Sequence, residues 1–322
     1  MHKSLYLEKT PSAETLLQLK EFGLSSVFLD YKQLSKDVVT NIKASLGDSL
    51  EVYACVTVFA GKDLLMQFPD AALVEATGKE AEIDDRVCPN HQGVRAEILE
   101  RVKLVLGYGV DGLWLNGLKY STKWALPEPV IYDVCYCERC LAKFSAALGD
   151  DIVGVTLQDK VLLIDGSYYL EWLEFKCNTI TSMAQEIKEV LQKSGQKVKY
   201  GFFAVPWKDK EYSAGIKRVL GQDFGALAEI FDIFSPQLFH GMCGRPVDWV
   251  KEMEDYFWEV GKPMLPLIQT ENKPDVISND EFEKAVRYAA EKPSMGVCVF
   301  YWEPLTLQPE KLEVAKTVLN TL

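Results

Sequence analysis

Cys135, Cys137 and Cys140 form a Cys-x-Cys-x-x-Cys cluster within VCYCERCLAKF, and Cys88 precedes them in RVCPNH. Three thiols on so short a polar segment can reach one centre, and a soft tetrahedral ion takes four ligands of this kind. Cys88 is the fourth ligand if the fold brings its loop alongside; otherwise these are surface thiols adjacent by chance. The ion expected is a structural zinc. Closed by four thiolates, it has no open position for a substrate, so it would tie loops together and do no chemistry itself. The remaining cysteines, Cys55, Cys177, Cys243 and Cys298, stand singly, and Cys55 and Cys298 lie in apolar runs.

Composition narrows the setting. Eight cysteines in 322 residues make no disulfide scaffold, and thiolate ligands suit a reducing cytoplasm. Nothing at Met1-His2-Lys3 reads as a charged-then-apolar leader. The longest mostly apolar run, Val52–Ala60, has only nine residues, far short of a membrane span. A formal net charge of -12 repels nucleic acid and anionic membrane surfaces. The expectation is a cytoplasmic protein with neither as a partner. With 48% hydrophobic residues and no linker, repeat or low-complexity tract, residues 1–322 read as one domain with a large core.

The elements that must position any site alternate along the chain. Short β-branched or aromatic runs occur at Ser4–Glu8, Ser26–Tyr31, Leu50–Phe59, Gly112–Tyr120, Lys197–Trp207, Ile233–His240, Met264–Glu271 and Gly296–Glu303. Helical periodicity fills the gaps, at Ala13–Phe22, Ser35–Leu46, Gly93–Leu106, Glu138–Leu148, Tyr168–Lys193, Gly225–Ile230, Val247–Val260 and Asp280–Glu291, and Pro309–Leu319 closes the chain. Several strands are apolar throughout, as in Val297-Cys298-Val299-Phe300-Tyr301-Trp302, which is what a strand buried on both faces requires. Eight βα units predict an α/β fold, the (β/α)₈ TIM barrel, with function on the loops at the C-terminal strand ends. A doubly wound sheet would carry a glycine-rich turn after an early strand; the first βα turn here is Lys9-Thr10-Pro11-Ser12. Two connections are long, Ala60–Asn90 after the third strand and Ser121–Cys137 after the fourth. Cys88, Cys135 and Cys137 fall inside them, so one ion would join two loops of the functional face.

The segment Arg86–Phe144, about a fifth of the chain, resembles glycoside hydrolases built on this barrel. Cys88-Pro89-Asn90 with Arg95, followed by the cysteine cluster and Phe144, is similar to the zinc-binding pattern of family-42 β-galactosidases. Gly109-Val110-Asp111-Gly112-Leu113-Trp114-Leu115-Asn116 resembles the fourth strand of the hypothetical glycosyl hydrolases and of α-amylases. Ser235-Pro236-Gln237, Gln269-Thr270-Glu271 and Tyr301-Trp302-Glu303 agree more loosely with strands six to eight. The resemblance implies a carbohydrate substrate and a nucleophilic glutamate at the end of strand seven. The chain departs from it at strand four, where Asn116 stands for the aspartate of one group and Gly117 for the acid/base glutamate of the other. An amide holds a sugar hydroxyl but neither attacks nor carries a titrating proton. Three accounts follow: sugar binding without cleavage, an Asp→Asn change that silenced the site, or catalysis by other carboxylates.

Glycoside hydrolysis uses two carboxyl groups flanking the scissile bond. The candidates are Glu271 on the seventh strand, Glu303 beside Trp302 on the eighth, and Asp30 on the second, with Glu8 read as structural. Each has a plain alternative as a solvated or salt-bridged acid. Asn116, Lys119, Tyr120, Trp124, Trp207, Gln237, His240 and Trp302 are candidates to bind a small carbohydrate or oligosaccharide, since sugar faces stack on aromatics while amides and imidazoles meet hydroxyls. For each aromatic, core packing is the competing account. Three histidines are too few and too scattered for a catalytic metal triad.

Overall fold

The structure, a computed structural model, describes residues 1–81 and 85–322. Eight parallel strands form the core: β1 (His2–Leu7), β2 (Ser26–Asp30), β3 (Glu51–Thr57), β4 (Gly112–Asn116), β5 (Lys199–Ala204), β6 (Ile233–Pro236), β7 (Leu267–Gln269) and β8 (Gly296–Phe300). They hydrogen-bond in the order β6-β5-β4-β3-β2-β1-β8-β7. Parallel bridges Phe234↔Met264 and Gln237↔Leu267 bring β6 to β7 and close the ring. The α/β expectation of a (β/α)₈ barrel is met.

Register decides which side chains face the axis, because partners in parallel strands share a face and the pleat alternates every residue. Tyr6 pairs with Phe28 and Phe28 with Tyr53; Cys55 pairs with Trp114 and Trp114 with Gly201. This face is the barrel interior. Phe28 packs edge-on against Trp114 with ring centroids 5.0 Å apart, and Tyr53 stacks on Trp114 at 4.5 Å. The Trp114 Nε1–H donates to Ser235 Oγ of β6 at 2.9 Å, which satisfies its buried polar atom. Gly201 makes room for that indole: a Cβ there would lie 2.3 Å from it. Two residues further along the same pleat come Asp30, Thr57 and Asn116, half-buried where the preceding residues are fully buried.

The strands are shorter than their apolar runs. Runs expected to continue to Tyr120, Trp207, His240 and Glu271 end at Asn116, Ala204, Pro236 and Gln269, where ladder bonds give way to loop bonds such as Tyr120 N–H to the Leu220 carbonyl. The run ending at Glu303 stops at Phe300 and becomes a helical turn, Trp302–Thr306. A helix at Leu157–Ser167, started by a Thr156–Asp159 capping box, was not anticipated. It joins Glu138–Leu148 and Tyr169–Ser194 in a three-helix excursion between β4 and β5. The loop after β3 carries a short helix, Lys62–Gln67, and is stitched to the loop after β4 by the bridge Glu75↔Val134. Among the described residues no helix is long and apolar enough to cross a membrane.

Candidate active site and cysteine centre

At the C-terminal mouth of the barrel the pleat aims Asp30, Asn116 and Gln237 inward, and Glu271 lies two residues beyond Gln269, the last residue of β7. Each of these four is half-buried. Around the ring, Asp30 and Asn116 each stand three strands from Glu271, on opposite sides. The floor is aromatic. Tyr6 meets Phe300 at 4.8 Å and Phe203 at 6.3 Å, and Phe239 stacks on Phe300 at 5.1 Å.

Acids collect on one half of this mouth. Glu271 pairs with Lys273 Nζ at 2.7 Å, and its side chain is 18% exposed. Tyr301 lies beside it; burial first, and then the Glu271 and Glu8 charges, hold its phenol well above the ordinary value. Burial, followed by Glu303 and Glu271, raises the Glu8 carboxyl. The Glu303 carboxylate accepts hydrogen bonds from the backbone N–H of Glu8 at 3.0 Å and of Lys9 at 3.0 Å, and so anchors the loop after β1. Asp30 accepts from the Lys32 N–H at 2.9 Å, yet burial outweighs that bond and its carboxyl is raised.

The opposite half, at β3 and β4, holds cations. Lys119 is 4% exposed and its Nζ has no hydrogen-bond partner among the described residues. Burial, then the Arg86 charge, holds its amine well below the ordinary lysine value. Arg86 Nη1 is likewise buried and unpartnered among the described residues. A Cβ on Gly117 would lie 2.9 Å from that nitrogen. The Arg86 guanidinium therefore occupies the space beside the position where the resemblance places an acid. Sequence reading passed over Arg86; its place two residues before Cys88 was the available signal.

Of the other candidates, Trp124 packs on Phe239 at 5.8 Å and so reaches the mouth at second hand. Trp207 is buried against Tyr212. Trp302 meets Phe22 of the helix layer edge-on. His240 is fully buried and pairs through Nε2 with Glu281 of helix Asn279–Ala290 at 3.1 Å. Tyr120 is turned to the cysteines: its hydroxyl accepts from Asn90 Nδ2, and Lys176 Nζ lies 4.8 Å over its ring. These four side chains pack with the helices and loops around the ring.

The four cysteines come together as the spacing implied. Their sulfurs all lie within 4.8 Å of one another, with Cys88–Cys140 at 3.4 Å and Cys88–Cys137 at 3.7 Å. A tetrahedron with metal–sulfur bonds of about 2.3 Å has edges of about 3.8 Å, so the cluster could hold a metal ion with small adjustment. N–H groups already face the sulfurs, from Val74 to Cys135 and from Asn90 to Cys140, both at 3.4 Å. Such outer bonds suit thiolates, whose negative charge they share. Hydrogen bonds from Cys135, then Cys140 and Cys88, hold the Cys137 thiol far below its ordinary value. The centre ties the loop after β3 to the start of helix Glu138–Leu148.

No protein-family model matches the chain, and no curated protein matches it. Solved structures match by shape. The PgaB (BpsB) glycoside hydrolase domain from Bordetella bronchiseptica superposes with a TM-score of 0.72 at 12% identity, over 98% of this chain and 97% of that one. A β-galactosidase from the psychrophilic Marinomonas ef1 gives 0.74 at 11% identity, covering 99% of this chain and 59% of its own. The GH42 β-galactosidase Gan42B from G. stearothermophilus gives 0.71 at 10% identity, with coverage of 99% and 56%. The chain thus spans little more than half the length of these β-galactosidases and nearly all of the PgaB domain. In fold, it is the TIM barrel of these glycoside hydrolases.

Proposed function

We propose that the chain acts on carbohydrate as a glycoside hydrolase, with Glu271 and Asp30 as the working carboxyl groups and a structural zinc at Cys88, Cys135, Cys137 and Cys140. The observation that carries this reading is the inward pleat of Asp30 and Asn116 over an aromatic floor, with Gln237 and Glu271 just past the ends of β6 and β7. The shape shared with the PgaB domain and the β-galactosidases supports it. Lys273 pairs with Glu271 at 2.7 Å and holds its carboxylate in place, as a nucleophile or base needs. Asp30, raised by burial, retains its proton more readily, as a general acid needs. Asn116 and Gln237 offer amides to sugar hydroxyls. Glu303 serves first as the clamp on the β1 loop, which makes its part in the reaction indirect.

Assay against a panel of aryl glycosides tests this. Glu271→Gln and Asp30→Asn should each lower turnover by at least a hundredfold while sugar binding persists. The second reading, a barrel that binds sugar without cleaving it, rests on Asn116 and on Arg86 filling the space beside Gly117. It prevails if the parent chain binds sugar, cleaves none of the panel, and gains turnover by orders of magnitude as Asn116→Asp, or gains none at all.

A further inference from the structure

Two cationic side chains near the barrel mouth, Lys119 buried and Arg86 half-buried, each carry a shielded nitrogen with no hydrogen-bond partner among the described residues. These atoms are Lys119 Nζ and Arg86 Nη1. Among the described residues, the Arg86 charge opposes that of Lys119, and the Asp85 carboxylate favours that of Arg86. This is unusual in a chain of 47 acidic residues and net charge -12, where cations elsewhere find carboxylates at 2.6 to 2.8 Å. Holding two like charges together out of water is unfavourable, and an anion joining them would relieve it. Structural need does not account for the pair, since an apolar side chain at 119 would bury at no such cost.

The place is specific. Arg86 Nη1 borders Gly117, whose missing side chain leaves the guanidinium beside Thr57, and Thr57 is the strand partner of Asn116. A ligand in the mouth that touches Asn116 is therefore close to Arg86 Nη1, whose charge Lys119 feels. Resting on the carbohydrate reading above, we propose that Arg86 and Lys119 form an anion subsite that takes the acidic group of a charged sugar, a carboxylate or a sulfate ester. A guanidinium meets either group through paired N–H donors, and the ammonium adds a point charge. The acids Glu8, Glu271 and Glu303 on the far side of the mouth would repel the same group, which fixes the orientation in which the sugar enters.

Calorimetric titration of the full chain with galacturonate, glucuronate, galactose 6-sulfate, galactose, glucose and sodium sulfate, at matched ionic strength, tests the proposal. Lys119→Met and Arg86→Gln are titrated alongside after circular dichroism shows native content. At least one acidic sugar should bind about tenfold or more tightly than its neutral counterpart, and both variants should lose that preference. Preference for the uronates identifies a carboxylate, and preference for the ester identifies sulfate. Sodium sulfate binding alone, lost in the variants, keeps the anion subsite and overturns the carbohydrate reading. Equal binding of acidic and neutral sugars, or a preference that survives in both variants, overturns the subsite and leaves the carbohydrate reading standing. No binding by any probe overturns both.

Discussion

At Asn116, one amide governs how the mouth can work. A carboxylate restored there would sit beside the Arg86–Lys119 pair, and opposite charge favours its ionised form. Asn116→Asp thus supplies an anion and makes a poor proton donor. Two outcomes follow for the free protein. The melting temperature should rise by a few degrees, as expected for a gain of about 1–2 kcal/mol when a buried charge gains a partner. Affinity for an acidic sugar should fall, because the new carboxylate competes for the same cations. Differential scanning calorimetry and the titration above measure both. A lowered melting temperature would mean that the cations already have a partner. Much of this residue-scale chemistry was legible in the chain: the missing acid at 116 and 117 is plain from the letters alone. The role of Arg86 was not, since only the fold of the loop after β3 brings its guanidinium against Gly117.

Among the elements, the two long excursions after β3 and β4 behave as one unit. The bridge Glu75↔Val134 joins their backbones and the four sulfurs join their side chains. Purified without chelator, the protein should carry close to one zinc per chain. Stripping it, or Cys137→Ser, should lower the melting temperature by about 5 °C or more, at roughly 2–4 °C per kcal/mol for a chain this large. Metal analysis and thermal melts provide the check, and a metal-free protein with an unchanged melting temperature would remove the centre. The spacing of the cysteines was readable because Cys135, Cys137 and Cys140 are local. The barrel was readable because strands buried on both faces spell continuous apolar runs. Strand ends were not. Leu118, Tyr120, Trp207, Leu238 and Trp302 are as apolar as true strand residues because loops and helices bury them, so hydrophobicity runs on past the ring. The same cause explains why Tyr120, Trp207, His240 and Trp302 read as mouth residues and yet pack among helices and loops.

Across the whole molecule, the buried Glu254 and the half-buried His2 set opposite slopes on stability. Glu254, 3% exposed on helix Trp249–Trp258, has neither carboxyl oxygen hydrogen-bonded among the described residues, and burial, then Asp255 and Glu291, raise its pKa from 4.5 to about 9. The native state therefore keeps a proton that the unfolded chain releases. Its contribution is intact below pH 4.5, is lost progressively between pH 4.5 and about 9, and stays lost above that. The slope in that window is about 1.4 kcal/mol per pH unit at most. His2 does the reverse at the barrel's closed end. Burial, then Lys199, lowers it from 6.5 to about 4, so the unfolded chain takes the proton first and stability falls as pH drops through that interval. The two slopes oppose each other between pH 4.5 and 6.5, and from 6.5 to 9 the Glu254 slope continues without that of His2. Glu254→Gln should accordingly be more stable than the parent, by a margin that grows steadily from pH 5 to pH 8.5. Urea unfolding of both proteins across that range measures the margin. A gap that stays constant with pH would show that Glu254 is ionised in the native state, and that its helix accommodates the charge.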